Sequence, residues 1–223
     1  MVQSEPPPPG WGSVYYQALG FQTLMKEDVT AFVLAGGKSS RMGRSKATLD
    51  LGGETLLQRA LKLASRVAAE TMLVGPRAEL EAYGRVVEDV YPGHGPLGGI
   101  HAALAATSTE LNLMLAVDTP FLEPRFLEYL IAQARESGAL VTLPRTADGL
   151  HPLAAVYRRA FHQGAERALL AGRNKIDALF AEVEIRILEA AELEKLAFPP
   201  AIFENLNTPE DVERARARHR GKP

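Results

Sequence analysis

Cysteine is absent from this chain of 223 residues. That removes a disulfide framework, a thiolate zinc site, an iron–sulfur cluster and a cysteine nucleophile together. A strong charge of either sign is missing too. The 25 lysines and arginines against 27 aspartates and glutamates leave a formal net charge of −2. Such a balance supplies no basic field for gripping nucleic acid. Nor does any apolar run approach the roughly 20 residues that span a bilayer, because Glu, Lys, Arg or Gln interrupts each of the longer ones. The expectation is a cytoplasmic α/β protein that engages neither nucleic acid nor membrane. The length suits one domain of ordinary size, which buries roughly 70% of the surface of its extended chain.

The two ends differ from the middle. Residues 1–26 include the run Pro6, Pro7, Pro8 and Pro9, and Met25 stands just before the first strong apolar segment. Proline fixes φ and removes a donor, so this stretch is expected to be a disordered or extended leader, or to precede the natural start. A proline-rich docking ligand is the alternative. Arg214, Arg216, Arg218, Arg220 and Lys222 crowd the other end. They suit the last turn of a helix, where cations face the negative end of the dipole, followed by a frayed terminus. An acid-binding arm is the other reading. The domain proper is expected over residues 27–220.

Between the ends, apolar runs and helical spacing alternate. Strands are expected over 29–35, 47–51, 71–74, 85–87, 111–117, 140–143, 153–157 and 184–188. Helices are expected over 55–67, 77–83, 96–106, 123–136, 159–170 and 175–180, with a last one capped by Thr208. Strand and helix in alternation predict a mostly parallel sheet with helices on both faces.

The segment that carries chemistry runs from Leu34, Ala35, Gly36 and Gly37 through Lys38, Ser39, Ser40, Arg41, Met42, Gly43, Arg44 and Ser45 to Lys46. It starts where a buried strand ends, the edge of an open α/β sheet where ligands settle. Three glycines allow the backbone close to a bulky anion, and four cations stand among them. A triphosphate asks for that combination. The spacing is not that of a Walker loop, which needs four residues between its glycine and Gly-Lys-Ser/Thr. A literal Gly-x-Gly-x-x-Gly occurs at Gly93, Gly95 and Gly98. It follows a loop rather than a strand, and Pro96 sits where the turn should wrap a pyrophosphate, so a dinucleotide fold is rejected.

Asp118 ends the second strong apolar strand on the same sheet edge, and one or two carboxylates with substrate phosphates are enough to hold magnesium. It could instead cap the helix that follows. Asn207 offers an amide oxygen to an ion or an acceptor, or simply turns the chain into the last helix. Asp89 also lies at a strand end. A carboxylate there can accept from the ring N–H and the exocyclic amine of guanine together. Cytosine presents only its amine on that edge. His94, His101 and His151 are too scattered to form a metal cluster by spacing, and His101 reads as a packed helix residue.

The loop from Leu34 to Lys46 resembles the signature of nucleotidyltransferases related to molybdenum cofactor guanylyltransferase. Further segments match that family in order: Gly95-Pro96-Leu97-Gly98-Gly99, Val117-Asp118-Thr119-Pro120-Phe121-Leu122, His151-Pro152-Leu153 and Asn205-Leu206-Asn207-Thr208-Pro209-Glu210-Asp211. One departure is Ser45, where the family usually has Asp before the loop lysine. The resemblance implies a single-domain Rossmann-like nucleotidyltransferase fold. It also implies transfer of GMP from GTP to the terminal phosphate of molybdopterin cofactor, with release of pyrophosphate. A cytidylyltransferase on the same acceptor, or a sugar-phosphate nucleotidyltransferase, is the alternative. Implied catalytic residues are Arg41, Lys46 and Asp118. Implied nucleotide contacts are Leu34, Ala35, Gly36, Gly37, Lys46, Gly75, Asp89 and Asp118, with Gly75 standing where some relatives carry Asn. Mg2+ would sit on Asp118, and Gly95, Gly98, Gly99, His151, Asn205 and Asn207 would line the acceptor side. The implied protein partners are molybdenum-insertion proteins and molybdoenzyme chaperones.

Overall fold

Alternation along the first strand divides its residues between two cores. In the computed structural model, which describes Lys26, residues 28–36 and residues 46–220, β1 is Val29–Leu34. There follow α1 (Leu56–Val67), β2 (Glu70–Val74), α2 (Arg77–Leu80), β3 (Val86–Val87), α3 (Gly95–Ala106), β4 (Leu111–Ala116), α4 (Pro124–Ser137), β5 (Val141–Thr146) and β6 (Gly149–Leu150). The chain then forms β7 (Ala154–Arg158), α5 (Phe161–Leu170), α6 (Ile176–Phe180), β8 (Ile185–Leu188), α7 (Ala190–Lys195) and α8 (Pro209–Arg220).

Val29, Ala31 and Val33 point with Leu113 and Leu115 of β4 toward α1 and α4. Phe32 and Leu34 point the other way, with Met72, Val74 and Met114, toward α3 and α5. Each fully buried Val, Leu or Phe contributes roughly 1.5–3 kcal/mol. A strand buried on both faces is therefore mainly apolar, as β1 is, its one polar side chain, Thr30, accepting at Oγ1 from Thr109 Oγ1 at 2.9 Å.

The sheet order is β3-β2-β1-β4-β7-β5-β6, with β8 also paired to β5. The first four strands are mutually parallel. Next to them β7 runs antiparallel to both β4 and β5, and β8 lies parallel to β5. The mostly parallel sheet with helices on both faces is thus the architecture found. The chain winds outward from β1 to β2 and β3 on one side, then returns to place β4 on the other side of β1. The crevice at such a reversal, outside the carboxyl ends of the strands, is where ligands bind in open α/β sheets.

Local chemistry sets the element ends. Thr55 and Gln58 form a reciprocal capping box at the start of α1, with Gln58 N donating to Thr55 Oγ1 at 3.2 Å and Thr55 N to Gln58 Oε1 at 2.9 Å. Gly138, at φ +70°, closes α4 in the left-handed conformation.

The strand expected over 47–51 is not formed. Lys46–Thr48 is a 3-10 turn, and only an isolated bridge joins Asp50 to Thr55. Gly52 and Gly53 both have positive φ and reverse the chain at once, so this segment joins no sheet. Its apolar residues Ala47 and Leu51 instead enter the core beside α1. The sequence reading also passed over β6, α7 and the 3-10 turn Pro200–Phe203. The expected leader, apart from Lys26, lies outside the described residues. Among the basic residues of the tail, Arg214 pairs with Asp211, and Arg216 pairs with Glu213 and donates to the Asp50 carbonyl.

Candidate active site

Three residues distant in sequence meet at the switch point. Asp118 sits in the turn leaving β4, which Thr119 pins by donating from Oγ1 to the Ala116 carbonyl at 2.9 Å. The Asp118 carbonyl in turn accepts from Leu206 N at 2.9 Å and anchors the segment before α8. Asp211 draws that segment tight, its Oδ2 accepting from Asn207 N at 2.9 Å and Thr208 N at 2.8 Å. These backbone donors hold its carboxyl below the usual range. The result brings Asn207 Oδ1 to 2.8 Å from Lys46 Nζ, which also donates to Asp118 Oδ2 at 2.8 Å. The Lys46 and Asp118 side chains remain 21% and 22% exposed, so the junction is open to a ligand.

Asp118 does not cap the next helix. The residue in that position is Glu123, and it makes no side-chain cap bond. What Asp118 and Asn207 do offer is a carboxylate oxygen and an amide oxygen converging on one cation, here the Lys46 ammonium. Oxygen donors of this kind, completed by phosphate oxygens and water, suit Mg2+.

The crevice floor is main chain. Leu34 O accepts from Val117 N at 3.2 Å, and Val74 O accepts from both Ala35 N and Gly36 N, at 3.0 and 3.1 Å. Those two N–H groups are therefore already engaged. So is Gly75 N, which donates to Val87 O at 3.1 Å. A Cβ on Gly36 would lie 3.1 Å from Gly75 Cα, so at these two positions glycine permits direct contact between the two strand ends. Gly37 and Arg41, with Lys38, Arg44 and Ser45, lie outside the described residues.

Asp89 follows β3 and leans on the first turn of α3. Its carboxylate oxygens would stand 3.6 Å from a Cβ on Gly98 and 3.6 Å from one on Gly99. A Cβ on Gly98 would also come within 3.0 Å of the Tyr91 carbonyl, and one on Gly99 within 3.2 Å of Leu34 Cδ2. Burial pushes the Asp89 carboxyl up. Among the described residues none hydrogen-bonds that carboxylate, which leaves both oxygens to accept from a ligand.

The residues expected on the acceptor side divide. Gly98 and Gly99 back Asp89, and Gly95 opens the same helix at φ +63°. His151 lies across the sheet, between β6 and β7, with Nε2 2.8 Å from Thr146 Oγ1 and its ring stacked 4.9 Å from Phe203. Burial lowers its pKa against an opposing pull from Asp148. Phe203 leads directly into the segment with Asn205, which is exposed, and Asn207. His94 precedes α3, its Cβ 3.6 Å from where a Cβ on Gly98 would stand, and its Nδ1 lies 2.6 Å from Asn174 Oδ1. Sequence reasoning missed Asp211, Thr119 and Phe203. The Thr208-x-x-Asp211 spacing was a legible cap signal, whereas nothing local marks Phe203.

An open cavity of about 170 Å³ lies between α1 and the turn after β4, lined by Arg59, Lys62, Arg66, Thr119 and Pro120 among others. Neither Lys46 nor Asp118 lines it.

The comparisons with known proteins agree on the family and the fold. Residues 31–186 match the family model of the MobA-like NTP transferase domain. A protein of Pelotomaculum thermopropionicum named probable molybdenum cofactor guanylyltransferase is 36% identical over 189 residues, covering 84% of this chain and 91% of that one. A molybdenum cofactor guanylyltransferase of Desulfosudis oleivorans is 32% identical over 192 residues, covering 85% and 95%. The crystal structure of molybdopterin-guanine dinucleotide biosynthesis protein A from Archaeoglobus fulgidus superposes with a TM-score of 0.76 at 28% identity, covering 86% of this chain and all of that one.

Proposed function

The chain belongs to the MobA-like NTP transferase domain family, and on that premise we propose that it transfers GMP from GTP to the terminal phosphate of molybdopterin cofactor. In this reading an acceptor phosphate oxygen bonds to the α-phosphorus while the bond from that phosphorus to the bridging oxygen breaks. Pyrophosphate leaves with the electron pair. The attacking phosphate is already anionic at neutral pH, so no protein base is required. The protein's work is alignment and charge stabilisation.

The observation that carries this reading is the meeting of Lys46, Asp118 and Asn207 at the carboxyl ends of β1 and β4. Lys46, with Arg41 from the loop, neutralises charge passing to the leaving group. Asp118 and Asn207 would hold Mg2+, which when bound supplies further neutralisation of the phosphates. The unpaired Asp89 carboxylate accepts from the guanine edge, and the Gly36–Gly75 contact gives the nucleotide a flat floor. His151, Asn205 and Asn207 face the acceptor.

Among the described residues no helix is long and apolar enough to cross a membrane. The proposal includes a cytoplasmic setting, where nucleoside triphosphates are available, and delivery of product to molybdenum-insertion proteins and molybdoenzyme chaperones.

The test is mass spectrometry of the product after incubation with purified cofactor, Mg2+ and each of the four nucleoside triphosphates in turn. Addition of one GMP unit with GTP alone, with matching pyrophosphate, is expected. A CMP adduct would move the assignment to a cytidylyltransferase. No adduct with any nucleotide would overturn it.

A further inference from the structure

His101 lies in the middle of α3 with 2% of its surface exposed, and neither of its ring nitrogens has a hydrogen-bond partner. A neutral imidazole always carries one donor and one acceptor, so leaving both unmade in the interior is costly and calls for an explanation. The groups around it come from the facing helix. His162 and Glu166 are four residues apart on α5 and so share one face of it. The His162 ring stacks on His101 with centroids 4.4 Å apart, and Glu166 Oε1 lies 3.9 Å from His101 Nε2. Tyr91 closes a third side with its ring edge, 5.1 Å away. One nitrogen from each histidine and one Glu166 oxygen all lie within 4.8 Å of one another.

Packing alone does not account for this group. An apolar side chain would fill the same space without the unpaired nitrogens, and two stacked imidazoles gain little from each other. Two imidazoles and a carboxylate on facing helices are, however, the donor set of a borderline divalent transition ion, with a fourth position left for water. A hard ion such as Mg2+ favours oxygen donors throughout and is not served by it.

We propose that His101, His162 and Glu166 bind one divalent transition ion of the Zn2+ class, tying α3 to α5. Bonds of about 2.0–2.1 Å in a tetrahedron set donor atoms roughly 3.3 Å apart. The three side chains therefore close inward modestly, and the partly exposed His162 and Glu166 have room to do so and to admit the ion. The consequence reaches the nucleotide crevice, because one turn earlier the same helix presents Gly98 and Gly99 to Asp89. This ion is separate from the magnesium proposed at Asp118, and its assignment does not depend on that reaction.

The experiment uses the full, untagged chain, stripped with chelator, then dialysed against Zn2+ alone and analysed for bound metal. About one zinc per chain is expected, with a rise in Tm that Mg2+ does not reproduce. Co2+ in place of Zn2+ should give the visible absorption of a four-coordinate ion with nitrogen and oxygen ligands. His162→Ala and Glu166→Gln alter partly exposed groups and should fold, yet each should lose the zinc and the cobalt spectrum. Zinc content in the wild-type chain no higher than in these variants would overturn the proposal, as would stoichiometric zinc retained by all three.

Discussion

A Cβ placed on Gly75 would stand 2.9 Å from the backbone nitrogen of Gly36, so the ends of β1 and β2 meet main chain to main chain. Gly75 also holds φ at +152°, where side chains are strained. Gly75→Ala should therefore lose roughly 1–3 kcal/mol of stability, read as a fall in Tm of roughly 2–12 °C. It should also weaken GTP binding by displacing the crevice floor. Gly53→Ala is the control, since that glycine has positive φ but open space around it and should cost only about 1 kcal/mol. Equal losses at both positions would mean that conformation, not contact, decides.

Lys46→Ala and Asp118→Asn should each lower kcat by roughly 100- to 1,000-fold, the scale of losing one preorganised charged group from a transition state. Stability should change by less than about 1 kcal/mol, because an ion pair this exposed contributes little to folding. Wild-type turnover in either variant would remove that residue from the mechanism.

Asp89 should show a trade between stability and specificity. Its carboxyl titrates above its ordinary value because burial disfavours the charge. The folded state thus binds the proton more tightly than the unfolded state. That contribution to stability is fully present below the unfolded pKa and is lost as pH rises through the folded one. At neutral pH the ionised group is a net burden, so Asp89→Asn should raise Tm at pH 7 and confer no such gain at pH 3. The same variant should lose preference for GTP and gain acceptance of XTP, because an amide donates where guanine needs an acceptor. Unchanged base preference would remove Asp89 from the base pocket.

Asp211 has the opposite sign. The backbone N–H groups of Asn207 and Thr208 depress its pKa. Its stabilising effect is therefore present above the unfolded pKa and lost as pH falls through the lower folded value. Asp211→Ala should loosen Asn207 and reduce kcat by roughly ten- to a hundredfold through misplacement of Lys46, with a smaller loss for Asp211→Asn, which keeps one acceptor oxygen. Equal activity in Asp211→Ala and wild type would show that Asn207 holds its place unaided.

The strands that position this site were legible for a local reason. Residues 29–34 and 111–115 are buried on both faces, a condition that selects apolar side chains except where a polar one is hydrogen-bonded, as Thr30 and Asn112 are, so composition betrays them. Residues 47–51 show the limit, since the same apolar residues serve a turn that packs its side chains without pairing its backbone. The Thr208–Asp211 cap was readable from spacing, yet its effect on Lys46 was not. That effect passes through Asn207 and a contact across 161 residues of chain.

Amino-acid order alone determined the α/β alternation, the glycine-and-cation loop after β1 and the acidic residues at strand ends, because each depends on neighbours a few residues away. Folding in three dimensions decided which of those residues share a crevice, that Ala35 and Gly36 give their N–H groups to Val74, and that His101 meets His162 and Glu166. Such facts follow from strand order and from which helix face turns inward. Those are set by burial of the whole chain at once, and no short window of residues contains them.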